Sequence, residues 1–192
     1  MAGAAIRMSP AEIEFLAEKE LISFEPNFTY SNIYLIQGDF GPFEAGIPTS
    51  VPLWLAVNLK QRCRGRIIPP AWMNIDDLNL KKQEELENKL FTEMPSRYYI
   101  EITQLLLKNA PEDIPKADEL RTLIKDIWDL RKAKLRSSID TFIKSDATHA
   151  KLNHLTPMEI NTIRAVLTET MNHINVLRSN VHTKYTGNSQ DI

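Results

Sequence analysis

Cys63 is the single cysteine of the chain, and it lies in Lys60-Gln61-Arg62-Cys63-Arg64-Gly65-Arg66, where four cations and no acid surround it. Neighbouring cations lower a thiol's pKa and favour the nucleophilic thiolate. A nucleophile also needs a base and a group to orient that base, and this stretch supplies neither. A lone cysteine excludes an intramolecular disulfide framework and offers no thiolate cluster to a metal. His149 and His154 stand five residues apart in a connection, whereas helical ligand pairs use spacings of three or four, and no third ligand accompanies them. Carboxylates are plentiful but fall on polar helix faces or near helix starts, and none is marked as an acid/base couple. There is no glycine loop followed by Lys-Ser/Thr, no dinucleotide fingerprint, no His-Glu-x-x-His and no Gly-x-Ser-x-Gly. The sequence therefore yields no catalytic residue, no metal ligand and no cofactor site, and describes a non-enzymatic protein.

Binding chemistry is better represented. Lys60, Arg62, Arg64 and Arg66 form a candidate basic contact patch for phosphate or an acidic partner, against the commoner explanation of a solvated basic edge. Together with Arg131–Arg136 it would serve a nucleic-acid-binding module, the alternative reading of this chain. The formal net charge of −2 argues against general polyanion binding. The second binding feature is a wide apolar surface. From Pro115 to Lys144 the chain has no internal glycine or proline, and Leu120, Leu123, Ile124, Ile127, Trp128, Leu130, Leu135, Ile139, Phe142 and Ile143 recur at helical spacing. They cover an arc of roughly 220°, where packing on one core needs about 100° or somewhat more. Leu123, Ile127, Trp128 and Leu130 are therefore the candidate subunit interface, part of it buried only when a partner docks. Arg131 falls within the arc, where it must reach water or meet a partner's carboxylate.

The elements that position these residues divide the chain. With 192 residues, 43% of them hydrophobic, it can build a substantial core. No stretch approaches the roughly 20 apolar residues of a membrane span, and no N-terminal run suits a signal peptide, as expected of a soluble intracellular protein. Five of the six glycines precede residue 66. In that part, Ser9 and Glu12 form a capping-box pattern before a short helix. Leu21–Phe24, Ile33–Gln37 and Ile47–Val51 are candidate strands, and Leu53–Lys60 a short helix. Gly38-Asp39-Phe40-Gly41-Pro42 is expected to be a turn, and Pro69-Pro70 a linker. Beyond it come an exposed polar helix from Asp76 to Lys89, anchored by Leu78, Leu80, Leu86 and Leu90, and a helix through Tyr99, Ile102, Leu105, Leu106 and Ala110. The long helix from Pro115 follows and is the element the chain is organised around. A last helix is capped by Thr156-Pro157-Met158-Glu159 and continues through Ile160, Ile163, Leu167, Thr170, Met171, Ile174, Leu177 and Val181. The fold class expected is mainly α: a helical-bundle domain (71–181) preceded by a small β-rich α+β domain (1–65), with a linker at 66–70 and a mobile tail at 182–192. Proteolysis of the free chain is expected near residues 61–70.

Several blocks carry a family likeness. Phe15-Leu-Ala-Glu-Lys-Glu20, Pro52-Leu-Trp-Leu-Ala-Val-Asn-Leu-Lys60 and Pro69-Pro-Ala-Trp-Met73 resemble the Psf-two subunits of the eukaryotic GINS complex. So do Ile114-Pro-Lys-Ala-Asp-Glu-Leu-Arg-Thr-Leu-Ile-Lys-Asp-Ile-Trp128, Arg131-Lys-Ala-Lys-Leu-Arg136 and Leu155-Thr-Pro-Met-Glu-Ile-Asn161. The likeness runs from about Ile13 to Leu177; the start, Met1 to Pro10, and the tail after Val181 depart from it. The resemblance implies a heterotetramer with three sister GINS subunits that joins the Mcm ring and the Cdc-forty-five protein in the replicative DNA helicase, acting in initiation and elongation. It implies a nuclear, chromatin-associated protein without catalytic residues of its own, since ATP hydrolysis belongs to the Mcm ring.

Overall fold

The computed structural model describes residues 8–144, 153–164 and 176. The fold is mainly α, with a small antiparallel sheet near the N-terminus. Helix α1 (Pro10–Ala17) opens on the expected capping box: Glu12 N–H donates to Ser9 Oγ at 3.2 Å, and Ser9 N–H donates back to the Glu12 carboxylate. Strand β1 (Leu21–Pro26) alternates, burying Ile22, Phe24 and Pro26 while Leu21 and Ser23 face outward. It is the centre of a three-stranded sheet, flanked antiparallel by β4 (Thr49–Pro52) and β5 (Gly65–Ile68). The register sets Ile22 opposite Val51 and Phe24 opposite Ile67, and all four side chains join the core. Helix α2 (Leu53–Gln61) leaves β4 without a break and covers that face with Leu53, Leu55, Ala56 and Leu59. A separate hairpin, β2 (Ile33–Leu35) with β3 (Gly38–Phe40), sits between β1 and β4 in the chain.

Two of these strands replace elements expected otherwise. Residues 38–40, read as a turn, pair with β2, so the turn shrinks to Ile36-Gln37. Residues 66–68, read as linker, belong to β5. Here Arg66 points out to Glu25 and Ile67 points in, but a four-residue strand is too short to show its period beside a run of cations. Gly65 permits this pairing: its φ is +157°, and a Cβ there would strike the Glu25 carbonyl and the Phe24 ring.

Helix α3 (Ile75–Glu87) is capped by Asn74 and buries a single leucine, Leu78, with Ile75 packed partly on the core; Leu80, Leu86 and Leu90, expected as anchors, are exposed. The helical period explains this, because the position seven residues after Leu78 on the same face is Glu85, which is buried. Helix α4 (Tyr99–Asn109) is enclosed on nearly every side, burying Tyr99 through Thr103 and Leu105 through Leu107. It packs on α1, α2 and α5 (Ala117–Lys144). The innermost element is thus α4, not the long helix. Pro111–Asp113 forms a 3-10 turn, and α5 starts two residues after Pro115 because Lys116 takes a φ of +52°. The last helix begins at residue 157, behind Thr156, and is described to residue 164. Ile163 is buried; the expected seam from Leu167 to Val181, the tail, His149, and the Phe142 and Ile143 side chains lie outside the described residues.

Candidate interaction surface and buried ion cluster

The long helix resolves its wide apolar arc mostly within its own chain. Leu120, Leu123, Ile124, Ile127 and Leu135 are buried, because α5 packs on α3 along one side and on α4 along the other. Two helices therefore share an arc too broad for one. Of the candidate interface residues, part of which were expected to await a partner, Leu123 and Ile127 are already enclosed within the chain. Trp128 and Leu130 remain half-buried. Trp128 lines a cleft of about 670 Å³ between α4 and α5, with Ile100, Leu107 and Ile124 and with Lys108 and Lys125 at its edge.

Arg131 neither reaches water nor waits for a partner's carboxylate. It is fully buried, and all its donor nitrogens are used within the chain. Nε donates to Glu159 Oε1 at 2.6 Å and one terminal nitrogen to Glu159 Oε2 at 3.0 Å, a bidentate pair. That second nitrogen also donates to the His154 carbonyl at 2.7 Å, while the other donates to Glu85 Oε2 and to the Thr92 carbonyl. Lys134, one turn on, donates to Glu85 Oε1 at 2.7 Å and to the carbonyls of Glu85, Asn88 and Leu90. The Phe91 ring stacks beneath both cations. Burial alone would raise the Glu85 carboxyl, but hydrogen bonds from Lys134 and Thr92 and the charge of Arg131 hold it below its ordinary value. Burial would likewise strip Arg131 of its proton, and the bonds and charge of Glu159 outweigh it, so its pKa moves up. The cluster ties α3, the 88–92 connection and the start of the last helix to one point on α5.

Glu159 and Glu85 are the residues that the sequence reading missed here. Glu159 is recognisable as a cap: its N–H lies 3.4 Å from Thr156 Oγ1, and its carboxylate accepts from Thr156 N–H at 2.8 Å. A cap that also neutralises Arg131 leaves no extra mark in the sequence. Glu85 did leave one, in its seven-residue spacing from Leu78.

Nearby, Glu101 is buried with both carboxylate oxygens lacking a hydrogen-bond partner, as is the Tyr99 hydroxyl. Burial pushes the Glu101 carboxyl up, reinforced by the charges of Glu159 and Glu14. Burial and Glu159 also raise the Tyr99 phenol.

The basic stretch is not one patch. Lys60 is half-buried and donates to Asp113 Oδ1 at 2.9 Å, with Glu112 at 3.0 Å. Burial would lower the Lys60 pKa, yet the bonds to these carboxylates carry it upward. Arg66 pairs with Glu25 at 2.8 Å. Arg62 and Arg64 are exposed on the turn around Cys63, whose φ is +56°. Two of the four cations are therefore neutralised inside the chain, and Arg131 and Lys134 of the second stretch are consumed by the ion cluster. Among the described residues no group of three or more His, Cys, Asp or Glu could hold a metal, and no helix is long and apolar enough to cross a membrane.

Comparison with known proteins decides the family. Residues 9–68 match the PSF2 N-terminal domain, and residues 72–178 match the GINS complex protein helical bundle domain. The chain belongs to the PSF2 family of GINS proteins. The DNA replication complex GINS protein PSF2 of Homo sapiens is 53% identical over 184 residues, covering 96% of this chain and all of the relative. The Xenopus laevis PSF2 is equally similar over the same shares. The psf2 protein of Schizosaccharomyces pombe is 36% identical over 88% of this chain and 90% of its own. The two domain matches leave residues 69–71 between them, at Pro69-Pro70 and directly after β5.

Proposed function

We propose that this chain is a non-catalytic structural subunit of a heterotetrameric GINS complex with three sister subunits. In this reading the tetramer joins the Mcm ring and the Cdc-forty-five protein as part of the replicative DNA helicase, serving initiation and elongation on chromatin in the nucleus. The observation that carries it is the match of both family domains, in order, together with 53% identity to the human PSF2 along that protein's whole length. DNA replication is the process named in that relative. A small N-terminal domain followed by a helical domain, joined near Pro69-Pro70, is the organisation that goes with it.

The sister-facing part of the surface is assigned to Trp128 and Leu130 on α5. They are the candidate interface residues of the arc that stay half-buried, as Ile139 does further along, and the apolar cleft beside Trp128 suits an anchor from another helix. The test is co-expression of the tagged chain with its three sister subunits, followed by mass measurement of the purified complex and then by titration with the Mcm ring and the Cdc-forty-five protein. A single stoichiometric tetramer that binds these components is expected. A chain that purifies alone, or a tetramer with no affinity for them, refutes the reading at the corresponding level.

A further inference from the structure

The cleft beside Trp128 is built from two matched helical stripes. On α4, Ile100, Gln104 and Leu107 stand at i, i+4 and i+7; on α5, Arg121, Lys125 and Trp128 repeat that spacing, with Ile124 between them. Each stripe is two turns long, about 10 Å at the helical rise. Ile100, Leu107 and Ile124 are buried and Trp128 is half-buried, so the inner surface is apolar. Two facing stripes of this length make a groove for one further helix, which would lay its own i, i+4 and i+7 anchors between them.

The rim of the groove is basic. Lys108 stands on the α4 wall and Arg121 and Lys125 on the α5 wall, all three exposed. Lys132, one turn beyond Trp128, holds its ammonium 5.6 Å from that ring. Among the described residues no carboxylate lines the cleft, and Lys108, Lys125 and Lys132 form no ion pair. Arg121 reaches Asp118 at 3.5 Å, but that side chain is 98% exposed, and a pair in water neutralises little. Asp129 follows Trp128 without lining the groove.

Charge and apolar character together identify the occupant. Four cations around an apolar floor call for a helix with a hydrophobic ridge flanked by Asp and Glu. The chain does not supply one: of its described last helix only Met158 lines the groove, and residues 165–192 carry two acids against two Lys or Arg. A two-fold contact with a second copy would set the four cations against each other. An apolar groove beside a tryptophan has the character of an obligate interface, which is covered when the complex forms. Two turns admit one helix, hence one neighbouring subunit. We propose that the α4–α5 groove receives an acidic amphipathic helix from one sister subunit, its apolar ridge on Ile100, Leu107, Ile124 and Trp128 and its carboxylates against Lys108, Arg121 and Lys125. The proposal rests on the tetramer reading above and adds the chemistry by which this chain selects that neighbour, since a helix with Lys or Arg at the flanking positions would be repelled.

The test places a photo-crosslinking residue at Gln104, exposed on the groove wall, in the chain co-expressed with its three sisters. The expected product joins this chain to one sister only, within a helix carrying Asp or Glu beside its apolar ridge. In parallel, Lys108→Glu with Lys125→Glu should weaken this chain's retention in the tetramer on the order of tenfold, and Lys108→Gln with Lys125→Gln should flatten the salt dependence of assembly. Failure of the wild-type set to form a tetramer refutes the functional reading and this assignment with it. A tetramer that forms with no crosslink from position 104 refutes the groove alone. So does a crosslink to residues 165–192, to a second copy, to a helix without acids, or one that appears only when the Mcm ring and the Cdc-forty-five protein are added. A charge-reversed variant retained as firmly as wild type at every salt concentration overturns the role of the cations.

Discussion

A buried arginine is stable only if its charge and its donors are all answered. Arg131 meets that condition with one bidentate carboxylate, a second carboxylate and two carbonyls. Arg131→Leu should therefore cost about 3–5 kcal/mol, because Glu85 and Glu159 would keep their buried charge without its partner. Arg131→Lys should also lower the melting temperature, since an ammonium has too few donors for this set of acceptors. Thermal unfolding of the two variants checks both, and equal stability of wild type and Arg131→Lys would show that charge alone suffices. The cluster has an acid limit as well. Glu85 is held below its ordinary 4.5, so its stabilising share is complete above that value and is lost as pH falls through the folded-state value below it. Glu101 has the opposite sign. Its carboxyl is raised in the fold and unpartnered, so its cost is absent below about 4.5 and grows as pH rises past it. Glu101→Gln should accordingly raise the melting temperature at neutral pH, with the gain vanishing near pH 4; a melting curve unchanged at pH 7.5 would mean that the group is satisfied in the assembled protein.

Elements were legible where their signals are local. The capping boxes at Ser9 and Thr156 are written in four residues each, and both form. Elements were obscured where pairing with a distant segment decides the outcome. β3 and β5 are three and four residues long, and each is a strand only because β2 or β1 lies beside it. The same distinction applies to α3, whose leucines suggested several anchors although only Leu78 faces the core. Thr156 offers the test at this scale. Its hydroxyl accepts from the Glu159 N–H, and its own N–H is answered by the Glu159 carboxylate that holds Arg131. Thr156→Ala should cost about 1 kcal/mol as a simple cap. A cost well above that is expected if loosening Glu159 also frees Arg131, and a double-mutant cycle with Arg131→Lys would measure the coupling. Strict additivity would separate the cap from the cluster.

At the scale of the molecule, the periodicity of α5 correctly announced two packing surfaces but not their owners. A sequence carries the width of an apolar arc, while the identity of what covers it depends on where α3 and α4 come to lie. The same holds for the join between the sheet-containing part and the helices. Proline and glycine content changes near Pro69-Pro70, yet the buried side chains form one continuous core from Ile13 through Leu59, Ile67 and Leu106 to Ile127. Asp113 adds a polar tie across that join, accepting from Lys60 Nζ at 2.9 Å and from the Ile67 N–H at 2.8 Å. Backbone pairing of β5 and the Ile67 bond to Asp113 should protect residues 65–68, which confines trypsin within the stretch 61–70 to the exposed Arg62 and Arg64 turn. Because apolar burial dominates over two hydrogen bonds, the two parts should unfold together. Trp54 on α2 and Trp128 on α5 report on each part, and variants retaining one or the other as the sole tryptophan should give coincident denaturation curves. Asp113→Ala should shift both curves equally, by about 1–3 kcal/mol, because the Ile67 N–H is left unanswered and Lys60 keeps only Glu112. Curves that separate in the wild-type background would mean that the shared core does not couple the two parts. Curves that separate only after Asp113→Ala would make this single carboxylate the source of the coupling.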